Sequence, residues 1–250
     1  MLLVDTPLAR KGTGLADTYG AVVFDFFGTL TWAVTRGGTD RRVARALGCD
    51  PGAFTILLDR TYAARARGEL GEARMALRWI AWQLGRSPTA AQVNEALRLR
   101  TDAIRAALRL RPEAICTLWM LRSAGLRTAV VSDCTDEVPA LVAESPVAGL
   151  LDATVFSVHL GMSKPDVELF LTASRRLGVS PGRCLYVGDG DGRELTGARS
   201  AGMTPVRFVA PDLTRHLVFD PEPDWTGYTI RSLSAVVELA SPGAILDAWG

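Results

Sequence analysis

Four places along this 250-residue chain put reactive side chains where a fold could use them. Asp25 follows the apolar run Ala21-Val22-Val23-Phe24 and precedes Phe26-Phe27-Gly28-Thr29-Leu30. A carboxylate there can attack phosphorus or carbon and form a covalent intermediate, splitting one hard displacement into two easier ones. Ser132 closes a second apolar run with a hydroxyl able to contact a substrate oxygen, and Lys164, one of only two lysines with Lys11, sits in Ser163-Lys164-Pro165-Asp166. Asp189, Asp191 and Glu194 crowd a Gly-rich turn. Hard oxygen ligands of this kind suit Mg²⁺, which keeps several waters and takes one or two protein carboxylates. Taken singly, each group has a plain structural reading: a turn cap for Asp25, a loop hydroxyl for Ser132, surface charge for Lys164, a solvated acidic turn for the last cluster.

The elements that must position them are short β-rich runs at Ala21–Phe24, Arg127–Ser132, Ala153–Val158, Cys184–Gly188 and Pro205–Val209. Their near-continuous hydrophobicity predicts a parallel sheet buried on both faces. Helical stretches at Glu113–Ala124, Asp166–Leu177 and Glu194–Ala201 alternate with them, which predicts a doubly wound α/β core. In such sheets ligands bind beyond the carboxyl ends of the strands, where the four places fall. Residues 33–109 break the alternation: Val93, Ala96, Leu97, Ile104, Ala107 and Leu108, and Met75, Trp79, Ile80, Trp82 and Leu84, recur at helical spacing. The chain therefore divides into a core of residues 1–32 and 110–250, with a polar lead-in over 1–19, and an all-helical insertion of 33–109. Trp79 and Trp82 are expected in that insertion's core, with a pocket wall as the alternative.

The order Asp-x-x-Gly-Thr-Leu from Asp25, strand-end Ser132, Lys164-Pro165-Asp166, and Gly188 to Met203 with its acids and Gly-Ala pair resembles the four motifs of the haloacid dehalogenase-like superfamily. The resemblance implies a Rossmann-like core with a helical cap, as in its phosphoglycolate-phosphatase-like and 2-haloacid dehalogenase members. It implies Asp25 as nucleophile and Mg²⁺ ligand, Ser132 as oxyanion contact and Lys164 as charge stabiliser. Phe27, Gly28 and Thr29 would supply backbone and substrate contacts, and Asp189, Glu194 and the Phe27 carbonyl would complete the metal site. Asp191 is the alternative to Glu194. One departure matters. Phosphatases of the superfamily carry a second Asp two residues after the nucleophile to protonate the leaving group; here it is Phe27. Losing a positioned acid–base group costs about 10²–10⁴-fold. Dehalogenases also have an aromatic there, because halide leaves without a proton, but they typically replace the acidic metal ligands that this chain keeps. A Mg²⁺-dependent phosphatase on a small anionic ester is the expected function, with dehalogenase-like carbon–halide hydrolysis or a non-catalytic ligand-binding protein as alternatives.

Composition narrows the classes. A net charge of +1 argues against a nucleic-acid partner. No apolar run approaches the roughly 20 residues of a membrane span, and the start breaks off too early for a signal peptide, so a cytoplasmic protein is expected. The cysteines Cys49, Cys116, Cys134 and Cys184 show neither zinc spacing nor a disulfide framework. Charge is uneven: residues 33–109 carry 14 Arg, no Lys and 7 acids, a net +7. Solvated helix faces explain that excess, or a basic lid for an anion, for which Arg60, Arg65 and Arg67 are the candidates. Oligomeric state is not legible in the sequence.

Overall fold

Ala21–Phe24 forms β1, buried on both faces, and runs into a single wide helical turn, Phe26–Leu30, closed by the Thr31 N–H on the Phe26 carbonyl at 3.0 Å. The computed structural model describes residues 19–35 and 37–241, so all but the last residue of the expected lead-in lies outside the described residues. After the turn come five helices: α1 (Thr39–Ala46), α2 (Pro51–Arg60), α3 (Tyr62–Ala66), α4 (Ala73–Gln83) and α5 (Ala90–Ala107). The core then resumes with α6 (Pro112–Ser123), β2 (Arg127–Ser132), α7 (Val138–Ala143), β3 (Ala153–Phe156), the short α8 (Ser157–Leu160), α9 (Val167–Leu177), β4 (Cys184–Gly188), α10 (Glu194–Ser200), β5 (Thr204–Phe208), β6 (Tyr228–Ile230) and α11 (Ala235–Ala240).

The six strands form one sheet in the order β3-β2-β1-β4-β5-β6, every pair parallel. From β1 the chain builds outward first through β2 and β3, then on the other side through β4 to β6. The order therefore reverses between β1 and β4, which is where an open parallel sheet leaves a crevice. Register levels the strand ends there: Phe24 lies opposite Val130 on one side and Val187 on the other. Side chains alternate to two cores. Val22 and Phe24 join Leu118, Leu121 and Val236 on the α6 and α11 face, while Ala21 and Val23 join Leu169, Phe170 and Leu195 on the α9 and α10 face.

The structure differs from the sequence expectation in several places: β5 runs Thr204–Phe208 rather than Pro205–Val209, and α7 and α11 add to the expected helices. β3 stops at Phe156 rather than Val158, because Ser157 turns inward to accept the Cys134 N–H at 2.9 Å and starts α8, which Gly161 ends at φ +72°. β6 was not foreseen, since three residues between a Gly and an Arg carry too little periodicity.

Four helices of the insertion, α1, α2, α4 and α5, pack around their own core of Val43, Leu47, Phe54, Leu77, Ile80 and Val93, while α3 lies between α2 and α8. Local signals set their starts. Asp50 caps α2 by accepting the Ala53 N–H, and Thr89 with Gln92 forms a reciprocal capping box on α5. Trp79 packs at the edge of this core, whereas Trp82 is 66% exposed; the buried stripe of α4 is Leu77, Ile80 and Ala81. The segments leading in and out run side by side, with Trp32 N–H on the Arg109 carbonyl and Arg111 N–H on the Leu30 carbonyl, both 2.9 Å. No helix among the described residues is long and apolar enough to cross a membrane.

Candidate active site

The reversal of strand order gathers Asp25, Lys164, Asp189 and Glu194 at one point. Lys164 Nζ lies 2.5 Å from Asp25 Oδ1 and 2.5 Å from Glu194 Oε2. Asp25, Asp189 and Glu194 each offer a carboxylate oxygen within 4.8 Å of the others. Glu194 is held at both oxygens: Oε1 accepts the Gly190 N–H at 2.9 Å, and Oε2 also accepts the Tyr186 hydroxyl at 2.7 Å. Its carboxylate fits only because residue 188 is Gly; a Cβ there would lie 2.0 Å from Oε1. Asp25 Oδ2, by contrast, is buried without a hydrogen-bond partner, and so is Thr29 Oγ1.

Charge does not balance at this point. One ammonium faces three carboxylates. Burial would lower the pKa of Lys164, but Asp25 and Glu194 hold it well above the ordinary lysine range. Burial, then the neighbouring Asp25, pushes Asp189 up to about 7. A buried carboxylate with that pKa lacks a cation. His216 does not supply one, since burial holds it below the ordinary imidazole range. Its Nδ1 accepts the Val34 N–H at 2.9 Å, and its Nε2 stands 3.6 Å from Asp189 Oδ2, too far for a hydrogen bond. The orphaned Asp25 Oδ2 and the charge deficit together fit a divalent, oxygen-loving cation.

The turn after Asp25 is held from outside the motif. Gly28 adopts φ +80°, and a Cβ on it would lie 2.6 Å from Asp189 Oδ2 and 3.0 Å from His216 Nε2. Arg111, buried, donates to the Gly28 carbonyl at 2.8 Å and the Thr29 carbonyl at 3.1 Å, and pairs with both oxygens of Asp212 at 3.1 Å. Asp212 in turn accepts the Ala33 N–H at 2.8 Å. None of Arg111, Asp212 and His216 was visible in the sequence, because each meets the site only through tertiary contact.

Asp25, Phe27 and Lys164 form one end of a cavity of about 390 Å³ between the sheet and the helical insertion. Phe27 stands edge-on to Phe26 and offers no proton. Ser132 is buried at the end of β2, and its hydroxyl makes only a 3.5 Å contact with the Asp133 carbonyl; the wall beside it is Asp133. Asp133 accepts the Lys164 N–H at 3.1 Å, and burial pushes its own pKa to about 6. Asp191 also reaches the wall, but its Oδ1 accepts the N–H groups of Gly192, Phe219 and Asp220, which fixes the loop. Of the basic-lid candidates, Arg60 is exposed, Arg65 is buried and donates to the Leu58 carbonyl, and Arg67 pairs with Glu69. None of the three lines the cavity; Arg100 does.

The haloacid dehalogenase-like hydrolase family model matches residues 19–202, which takes in Asp25, Lys164, Asp189 and Glu194 though not Asp212 or His216, and the chain belongs to that family. It is 32% identical over 127 residues to the glyceraldehyde 3-phosphate phosphatase of Methanopyrus kandleri, half of this chain and 54% of that one. It is also 33% identical over 93 residues to the (S)-2-haloacid dehalogenase 4A of Burkholderia cepacia, 37% of this chain and 40% of that one. The chain thus spans about half the length of the curated relatives it matches. The HAD phosphatase of Thermococcus onnurineus superposes with a TM-score of 0.59 over 88% of this chain and 97% of its own, at 20% identity, a likeness of fold.

Proposed function

We propose that this chain is a Mg²⁺-dependent phosphatase that hydrolyses a small anionic phosphate ester through an aspartyl-phosphate on Asp25. The carrying observation is the uncompensated carboxylate group: Asp25 Oδ2 without a partner, beside an Asp189 that burial and Asp25 push up to about 7. Residues 33–109 are read as the cap. Asp25, Asp189, Glu194 and the Phe27 carbonyl would hold the cation, Glu194 through Oε1, which accepts a single hydrogen bond. Bound there, Mg²⁺ would draw negative charge off the phosphoryl oxygens and hold the ester in line with Asp25.

The residues then have separable tasks. Asp25 attacks phosphorus and releases the alcohol, and Lys164 offsets the charge that gathers on the transferring group. Glu194 and Tyr186 fix the position of the lysine. The Gly28 and Thr29 carbonyls are clamped by Arg111 and the Gly28 N–H by Thr31, so this turn would hold Asp25 in place, and Ser132, buried at the end of β2, would serve as an oxyanion contact. With Phe27 in place of an acid, the alcohol leaves with a proton from water or from the ester itself, so turnover of poor leaving groups is slow. The four unpaired cysteines, three of them buried, favour a reducing cytoplasm.

Phe27 also supports a second reading, carbon–halide hydrolysis at the same aspartate, as does the likeness to the Burkholderia cepacia dehalogenase. One panel separates them. Phosphate monoesters, glyceraldehyde 3-phosphate among them, and 2-haloacids are assayed with Mg²⁺ and with EDTA. Phosphate release that EDTA abolishes is expected. Halide release indifferent to EDTA, with no phosphate release, would put the dehalogenase first.

A further inference from the structure

The lining of the cavity bears on the substrate. Besides Asp25 and Lys164, the insertion contributes Ala63 and Ala66 from α3 and Ile104 and Ala107 from α5, and the core contributes Phe27, Val138 and Leu217. Two large polar side chains of this wall are already paired. The Tyr62 hydroxyl donates to the Asp133 carbonyl, while its ring stacks on Phe219 at 3.9 Å. Arg100 donates to Glu137 at 2.5 Å and to Thr135 at 3.3 Å. The other charges on the wall besides the reacting pair are Asp133, Asp191 and Asp220, which repel a second anion.

A hydroxylated body placed against such a wall would leave its donors and acceptors unpaired, at about 1–3 kcal/mol each by general experience. A carbon chain would instead gain from leaving water. The volume, about a dozen water-sized spaces at ~30 Å³ each, also exceeds what a three-carbon polyol fills.

We propose that the leaving alcohol is apolar: the chain acts on monophosphate esters with a single anionic end and a carbon body, an alkyl chain of several carbons or an aromatic ring, lying against α3 and α5. This rests on the phosphatase reading for the placement of the phosphoryl group at Asp25. The class differs from triose phosphates in both charge-free length and polarity.

The test uses primary alkyl phosphates, whose leaving groups are alike, so that rate differences report binding. Ethyl, n-butyl and n-hexyl phosphate are compared with glycerol 3-phosphate on the full chain with Mg²⁺. Expected is a rise in kcat/KM of about fourfold per methylene until the cavity is full, with n-butyl phosphate well above glycerol 3-phosphate. Ala63→Leu, which narrows the cavity, should lower the hexyl-to-ethyl ratio several-fold; should that variant not fold, the wild-type profile alone decides. A flat chain-length profile, or glycerol 3-phosphate equal to n-butyl phosphate, would overturn the apolar class while phosphate release kept the phosphatase reading intact. No phosphate from any ester would remove the phosphatase reading and this inference with it.

Discussion

At residue 27 an aromatic ring stands where a phosphatase of the proposed kind would use a carboxyl group, and at residue 28 a missing Cβ leaves room for Asp189 Oδ2 and the His216 ring. Both features give sharp expectations. Phe27→Asp should restore proton transfer and raise turnover of a poor-leaving-group ester about 10-fold or more, within the range that general acid–base groups supply. An activated aryl phosphate should gain less, since its leaving group needs little protonation. Phe27 packs against the core and Phe26, so thermal unfolding is measured alongside. A folded variant with no gain on any ester would count against the phosphatase. Gly28→Ala should damage the site from the other side. The positive φ alone costs about 1–2 kcal/mol for an L-residue, and the added carbon would press on Asp189 Oδ2. Calorimetric Mg²⁺ titration should show affinity down by about tenfold or more; equal affinity in wild type and variant would mean that this oxygen does not face the ion.

The elements divide by how their partners are encoded. β1, β2 and β4 were legible because burial on both faces leaves an unbroken apolar run, and the helices α6, α9 and α10 because they alternate with the strand runs. So were Asp25 and Asp189 as strand-end residues, whereas Lys164 sits in the loop between α8 and α9, a helical turn beyond β3. What stayed hidden is long-range. Arg111 reads as an ordinary residue before Pro112, yet it spans 83 positions to hold the Gly28 carbonyl. It also ties the turn to the helical insertion, through Asp212 and the Ala33 N–H. Arg111→Met keeps most of the side-chain bulk between the Trp32 and Phe208 rings while removing every one of these bonds. Hydrogen bonds to a charged group are worth roughly 1.5–3 kcal/mol each when removed from a buried site, less for Asp212, which is partly exposed. The variant should therefore melt several degrees lower and lose kcat more than it raises KM, because the turn that faces the reacting group loosens. A lower melting temperature with kcat intact would confine Arg111 to a structural part.

Over the whole molecule, two separately cored units enclose a buried charge deficit, and that deficit should be readable in how stability follows pH. In the absence of metal, Asp189 keeps its proton up to about pH 7 in the folded state but loses it near 3.8 when unfolded. Between those values the native state binds more protons than the unfolded chain, so stability should fall as pH rises through the window. Asp133, pushed to about 6 by burial, adds to the same slope. Mg²⁺ binds the deprotonated carboxylates and competes with those protons, so it should raise Tm little at pH 5.5 and much more at pH 8. Thermal unfolding in EDTA and in excess Mg²⁺ across that range measures both trends at once. Asp189→Asn provides the internal control: the EDTA slope should shrink to the part that Asp133 and Glu194, whose carboxyl burial also raises, still carry, and the Mg²⁺ gain at pH 8 should largely vanish. Asp133→Asn should reduce the EDTA slope yet leave most of the Mg²⁺ gain, since Asp133 faces the Lys164 backbone rather than the carboxylate cluster. A Mg²⁺ gain of equal size at pH 5.5 and pH 8 would show that the cation binds away from the titrating carboxylates, and would move the charge deficit around Asp25 from metal binding to some other use.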